Sequence, residues 1–256
     1  MRKLLLLSTA LFVASTSSLA HAQTGMNLSW NNCITQSNAA EDKAYACDGS
    51  ANGTPFKIVF SFFTPVALSQ FVGIQATVEV HTTSETLSDW WRLGVGECRE
   101  GNLGFPGSMS GIGTGTTGAC RGPWVGGNVG GGMMWLSGSD TSDVPTGQGR
   151  VVLAYARDNE QSLNTGQQYV GGVMTLDTYN DTEGEYPECS GCSEPICIVL
   201  TEIQLFQTPG AAGGDIQTIT EAETRRAVTW QGGVASCPGA SESRHVMWGS
   251  IRAVYR

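Results

Sequence analysis

Eight cysteines, Cys33, Cys47, Cys98, Cys120, Cys189, Cys192, Cys197 and Cys237, all follow the opening stretch MRKLLLLSTALFVASTSSLAHAQTG. That opening sets Arg2 and Lys3 before an apolar run from Leu4 to Ala14 and a small-residue site at Ala20-His21-Ala22, which is the pattern of a secretory signal peptide over residues 1–22. An even number of cysteines behind an export signal reads as a disulfide framework. Proximity favours Cys33 with Cys47 and Cys98 with Cys120, each closing a loop for which the chain-entropy estimate is about 3 kcal/mol. The other four then pair among themselves. Three of them crowd into PECSGCSEPICIVLTEIQLF, where one Cys-x-x-Cys knuckle with Cys197, Cys237 and His245 offers zinc-ligand types. Zinc ribbons use two matched knuckles, so the expectation is disulfides and no metal.

The apolar pattern has period two. In GIQATVEVH, Ile74, Ala76, Val78 and Val80 share one face while Gln75, Thr77, Glu79 and His81 share the other, which predicts a strand with one wet side. FKIVFSFF, RVVLAYA, QYVGGVMTL and CIVLTEIQLF read as strands too, with MMWL and AVTWQ as shorter ones. In CIVLTEIQLF the alternation puts Cys197 on the inward face with Val199, Ile203 and Leu205. Many strands without intervening helices predict an all-β fold, an antiparallel β-sandwich of immunoglobulin-like or jelly-roll-like type, stapled by disulfides.

Sixteen of the 34 glycines fall between residues 101 and 149. That density predicts a long glycine-rich insertion of loops around one short strand at Met133–Leu136. GTGTTG, residues 113–118, matches a dinucleotide-binding pattern, but Cys120, Gly122 and Pro123 forbid the helix such a site needs. The expected organisation is a signal peptide at 1–22, a sandwich domain at 23–207 with the glycine-rich loops at 101–149, and a C-terminal extension at 208–256 that docks on the sandwich through Trp248.

Charge and hydropathy narrow the partners. Loss of residues 1–22 removes two basic residues and no acidic one, taking the formal charge from −9 to −11. So acidic a chain is repelled by phosphate backbones and anionic headgroups, so nucleic acid is not expected as a partner. No run after the leader reaches the roughly 18 apolar residues of a spanning helix, so no membrane insertion is expected. The expected location is secreted, extracellular or periplasmic.

No catalytic pattern stands out. GSMSG, residues 107–111, lacks the central serine of a nucleophile elbow, and no spacing among Glu79, Asp89 and Glu97 singles out a glycosidase pair. His81 sits on the polar strand face as a solvated residue. The acidic stretch DTYNDTEGEYPE, Asp177–Glu188, would suit calcium by its oxygens but lacks the order of an EF-hand loop, so no cofactor is expected, with calcium the one candidate. LSDWWRLG is more informative. On a strand Trp90 and Trp91 face opposite ways, and the even spacing of Leu87 and Leu93 from Trp91 assigns Trp91 to the core. Trp90 is then the outward ring, and Asp89, Trp90 and Trp124 form a candidate stacking surface for a glycan or an extracellular protein.

The set LSDWW, GECR, CSGCSEPICIVLTEIQL, VTWQGG, CPGA and MWGSIRAVYR resembles an uncharacterised family of secreted, disulfide-containing bacterial proteins. The strand order, with its late PICIVLTEIQL, is also distantly similar to cohesin-type and carbohydrate-binding β-sandwich modules. The resemblance implies a non-catalytic binding or structural role at the cell surface or outside the cell. The alternative is an extracellular hydrolase whose site no motif marks.

Overall fold

The computed structural model describes residues 24–48, 55–106, 120–138, 141–179, 188–232 and 237. The expected leader, the GTGTTG stretch and the docking of Trp248 lie outside the described residues. Among the described residues lie eleven strands: β1 (Gly25–Trp30), β2 (Asp42–Lys43), β3 (Phe56–Phe63), β4 (Leu68–Thr82), β5 (Leu103–Gly104), β6 (Val129–Ser137), β7 (Gln148–Leu163), β8 (Gln168–Leu176), β9 (Ile196–Gln207), β10 (Ile216–Ile219) and β11 (Ala227–Trp230). A short 3-10 turn, Asp89–Trp91, follows β4.

These strands form two sheets, one of four strands in the order β1-β3-β8-β5 and one of seven, β2-β11-β9-β4-β7-β6, with β10 also paired to β9. Pairing is antiparallel apart from the two-residue contact of β2 with β11. The result is the expected all-β antiparallel sandwich. Inward rows from both sheets fill its core: Leu28 and Trp30 from β1, Phe60 and Phe62 from β3, Ile74 to Val80 at alternate positions of β4, and Leu153 and Tyr155 from β7. Such alternation is the consequence of two-residue side-chain periodicity on a half-buried sheet.

Bulges adjust that periodicity, two of them in the middle of the sheets. On β9 the register against β4 slips between Thr77 and Val78, which face Glu202 and Leu200, so Thr201 is the extra residue. The slip inverts side-chain parity along β9. Ile198, Leu200, Ile203 and Leu205 therefore share the core, while Cys197 and Val199 face outward beside His81 and Glu79. The inward assignments of Cys197 and Val199 are corrected accordingly. On β8, Phe60 faces Gly172 and Ser61 faces Val170, leaving Gly171 as the extra residue. A Cβ at Gly171 or Gly172 would run into the Phe60 ring, and at Gly172 into Tyr155 as well. These glycines let two aromatic rings lie against bare backbone.

All eight cysteines are bonded, as Cys33–Cys120, Cys47–Cys192, Cys98–Cys189 and Cys197–Cys237. The disulfide framework stands, but the short-loop pairing does not. Sheet topology rather than sequence distance brings the partners within reach: Arg121 bridges to Tyr169 of β8 and delivers Cys120 to Cys33 just after β1. With every sulfur in a bridge there is no thiolate to bind zinc. Disulfides persist in oxidising compartments. Among the described residues, no helix is long and apolar enough to cross a membrane.

Candidate functional site

The stretch that looked like a strand, LSDWWRLG, closes a 3-10 turn instead: the Trp91 amide donates to the Ser88 carbonyl at 2.9 Å and the Arg92 amide to that of Asp89 at 3.2 Å. Side chains in such a turn step by about 120° rather than 180°, so adjacent rings need not point opposite ways. Both enter the core, Trp90 at 0% and Trp91 at 1% exposure. The outward placement of Trp90 is therefore corrected. Its ring stacks on Trp230 and meets Trp91 edge-on at 5.0 Å. The buried Arg99 guanidinium lies 3.7 Å from the Trp90 ring centroid and donates to the carbonyls of Trp90, Tyr179 and Asp177. A ring with no exposed surface offers no stacking platform.

Trp124 does not join Trp90. It packs on Phe71 and Tyr155 and donates its indole N–H to the Val170 carbonyl at 3.1 Å. Phe71 lies at the opposite end of β4 from Thr82, the end near the tryptophan turn. Trp124 too is buried, which removes it from any ligand surface.

Asp89 takes a different position. It borders a cleft of about 380 Å³ whose wall includes Thr86, Arg92, Glu97, Ser137, Thr146 and Gln148. Its Oδ1 lies 3.3 Å from an Arg92 terminal nitrogen, and the two side chains are 49% and 42% exposed. The Glu97 side chain is 6% exposed and pairs with Arg92 Nε at 3.5 Å. It also accepts from the Gly94 amide at 2.7 Å, the Trp135 indole at 3.1 Å and the Ser137 hydroxyl at 3.2 Å. Gly147, at φ +78°, completes the wall, and a Cβ there would meet the Ser84 and Glu85 carbonyl oxygens at 2.9 and 3.0 Å. Only glycine combines that conformation with so close an approach. The cleft thus has an anchored carboxylate at its base and an exposed carboxylate–guanidinium pair on its rim.

Sequence reasoning named Asp89 and weighed Glu97 but missed Arg92, Thr146 and Gln148. Arg92 had a signal, its three-residue spacing from Asp89 in a helical turn. Thr146 and Gln148 had none, because the glycine density of their region hides the start of β7 at Gln148.

A second polar cluster lies on the outer face of β4. Glu79 accepts from Arg150 at 2.7 Å and has His81 Nε2 at 3.4 Å, and Arg150 reaches the Asp143 carbonyl. Both Glu79 (1%) and His81 (3%) are buried, so the solvated placement of His81 and the wet face of its strand are corrected. Burial opposes the charge on Glu79, yet the close His81 imidazole and the hydrogen bond and charge of Arg150 hold its carboxyl below the usual range.

Among the described residues, no group of three or more His, Cys, Asp or Glu side chains is placed to hold a metal. Most of the acidic stretch weighed for calcium, residues 180–187, lies outside the described residues.

No protein-family model matches the chain, and no curated protein matches it. Among solved structures, it is similar to a cohesin module from Clostridium perfringens ATCC13124 family 33 glycoside hydrolase, with 8% identity, a TM-score of 0.27, and coverage of 81% of this chain and 97% of that one. A likeness of that strength fixes neither family nor ligand.

Proposed function

We propose that this chain is a secreted, non-catalytic binding protein whose ligand seat is the cleft bordered by Asp89 and Arg92, and that its ligand is a hydroxyl-rich molecule such as a glycan. Residues 1–22 act as the export signal, and the four disulfides support an oxidising destination outside the cytoplasm. One observation carries the reading: the rim pair is exposed while the second carboxylate of the cleft is consumed in holding the wall. A half-exposed carboxylate beside a guanidinium presents an acceptor and several donors side by side, with Thr146, Ser137 and Gln148 adding neutral groups. Hydrolysis by two carboxylates needs both free to exchange protons or attack. Glu97, already accepting three hydrogen bonds, is poorly disposed to either task.

The test is a glycan array and a hydrolase substrate panel on the exported protein, its Asp89→Ala and its Arg92→Ala variants. The expected result is capture of a glycan that weakens by about tenfold or more in each variant, the scale of a charged hydrogen bond, with unchanged melting. Turnover of a panel substrate that Asp89→Ala abolishes would replace the binding reading with a hydrolase. Binding indifferent to both variants would move the seat elsewhere.

A further inference from the structure

Three of the four outermost strands of the two sheets are short or covered. β2 is two residues long and charged, Asp42 and Lys43, and β5 is two residues as well. On β1 the outward amides of Met26 and Leu28 donate to the Glu221 and Arg225 carbonyls. β6 differs. It runs for nine residues, VGGGMMWLS, without a charge, a proline or a register slip against β7. Edges of that length are normally blunted by one of those devices, because unpaired backbone groups recruit another strand. Two hydrogen bonds fix which groups are turned outward. The Asp158 amide donates to the Asn128 carbonyl, so even-numbered residues bond toward β7, while the Ser137 carbonyl turns the other way and accepts from the Thr141 amide. By alternation the N–H and C=O of Val129, Gly131, Met133 and Trp135 point away from β7. Among the described residues none of these groups has a hydrogen-bond partner.

We infer that this edge seats β6 of a second copy of the chain, antiparallel about a two-fold axis at Met133, so that two seven-stranded sheets become one. The order of residues in the strand selects that register. With Met133 opposite Met133, Gly132 faces Met134, Gly131 faces Trp135 and Gly130 faces Leu136, so each bulky side chain of one half-strand meets a glycine of the other copy. Long and aromatic side chains laid over a cross-strand glycine stabilise strand pairs. The parity agrees. Odd residues stand opposite odd ones, so the pairs Gly131–Trp135, Met133–Met133 and Trp135–Gly131 each exchange two ladder hydrogen bonds. A slip of one residue would set outward groups against inward ones and lose both features. Gly130 argues independently. A Cβ at Gly131 would strike the Ala154 carbonyl and the Phe105 ring, which explains that glycine within one copy, whereas a Cβ at Gly130 would meet nothing within 4 Å. Glycine weakens a strand unless something approaches closely, and Leu136 of the second copy supplies the approach. A foreign extended peptide would find the same hydrogen-bond groups but would leave the pairing of glycines with bulky residues unread.

Sedimentation equilibrium of the exported protein at up to about 1 mM, with substitutions at Met133, tests the inference. The expected result is a monomer–dimer equilibrium that Met133→Ala keeps and Met133→Pro weakens by about tenfold or more, since proline removes the outward N–H from both copies. Bonds between β6 and β7 do not use that N–H, so both variants keep them. Met133→Cys gives a covalent reading. Directly opposite residues of a hydrogen-bonded pair lie about 5.5 Å apart at Cα, inside the range of a disulfide, so peptide mapping after oxidation should find the introduced thiol joined to its copy. The thiol of Met134→Cys is diagonal to its copy at about 7–8 Å and should stay unlinked. A chain that remains monomeric to that concentration overturns the inference, as does a dimer that Met133→Pro leaves equally strong. If Met133→Pro does not fold, the two cysteine variants decide: linkage through position 133 alone supports the edge pairing, and its absence overturns it.

Discussion

Trp90 stacks on Trp230 with ring centroids 4.9 Å apart and planes 26° from parallel, which joins the turn after β4 to the last described strand. Trp30, Tyr45 and Phe56 surround the same Trp230 ring, and its indole N–H is held by the Cys192 carbonyl at 2.6 Å. The first prediction follows from this packing. Trp90→Ala and Trp91→Ala should each cost about 3–5 kcal/mol, the range for large aromatic truncations in a core. Denaturant melts of the two variants should give similar losses. A near-neutral Trp90→Ala would mean that the stack does not form.

The disulfide map makes the second prediction. Non-reducing peptide mapping should recover Cys33 joined to Cys120 and Cys98 joined to Cys189, with no Cys33–Cys47 peptide. Cys47–Cys192 spans 145 residues, so its removal as a Cys47→Ala, Cys192→Ala pair should cost about 2–5 kcal/mol. Linked Cys33–Cys47 peptides would contradict the topology.

How far these features could be read from the chain varies with their range. FKIVFSFF and QYVGGVMTL coincide with β3 and β8 because alternation is a local signal written in every second residue. GMNLSW carries the same alternation, Met26, Leu28 and Trp30 against Asn27 and Ser29, so β1 was legible as well, although it is not among the expected strands; only the burial of Asn27 and Ser29 on its second face had no mark. The Thr201 bulge had no sequence mark either, and one extra residue was enough to reverse Cys197. Asp89 was legible as the acidic neighbour of the tryptophan pair, although the pair lies in a 3-10 turn and not on the strand that its spacing predicts. The cleft was not, because Gln148 and Thr146 reach it only through the pairing of β7 with β4 and β6.

The third prediction concerns acid. Glu79 has its carboxyl held below the usual range in the folded chain, so it contributes stability above the unfolded value of about 4.3 and loses it as pH falls through the lower folded value. Glu79→Gln should therefore flatten the stability profile below about pH 4.3. At neutral pH it should cost about 3–5 kcal/mol by leaving the buried Arg150 without its counter-charge. Urea melts from pH 3 to 7 check both; a profile as steep as the parent's would exclude Glu79 as the group responsible.

The fourth prediction is alkaline. Burial raises the Tyr155 hydroxyl to about 12, partly offset by the Val173 amide, which donates to the phenolic oxygen at 3.4 Å. The unfolded phenol ionises near pH 10, so stability should fall as pH rises from about 10 toward the folded value of about 12. Tyr155→Phe should remove that portion of the decline, and ultraviolet titration of the native protein should show one tyrosine fewer ionising near pH 10 than the unfolded chain does.

The two carboxylates of the cleft should separate stability from binding. Glu97 ties the stretch after the 3-10 turn to β6: its oxygens take the Gly94 amide and the Arg92 side chain from the first, and the Trp135 indole and the Ser137 hydroxyl from the second. Glu97→Ala leaves those donors facing a void and should cost about 2–4 kcal/mol, as for buried groups that lose a charged acceptor. Glu97→Gln keeps an acceptor oxygen but sets an NH2 where the acid received two donors, and should recover only part of that loss. Among the described residues the Asp89 carboxylate pairs with Arg92 alone, and it lies half in solvent, so Asp89→Asn should change stability by less than about 1 kcal/mol. Ligand capture should respond the other way, falling with Asp89→Asn at full stability, whereas Glu97→Gln should reduce capture only as far as it loosens the wall. Melts and binding titrations on the same preparations test the split; equal destabilisation by the two substitutions would make Asp89 part of the scaffold and leave the cleft without a ligand-facing acid.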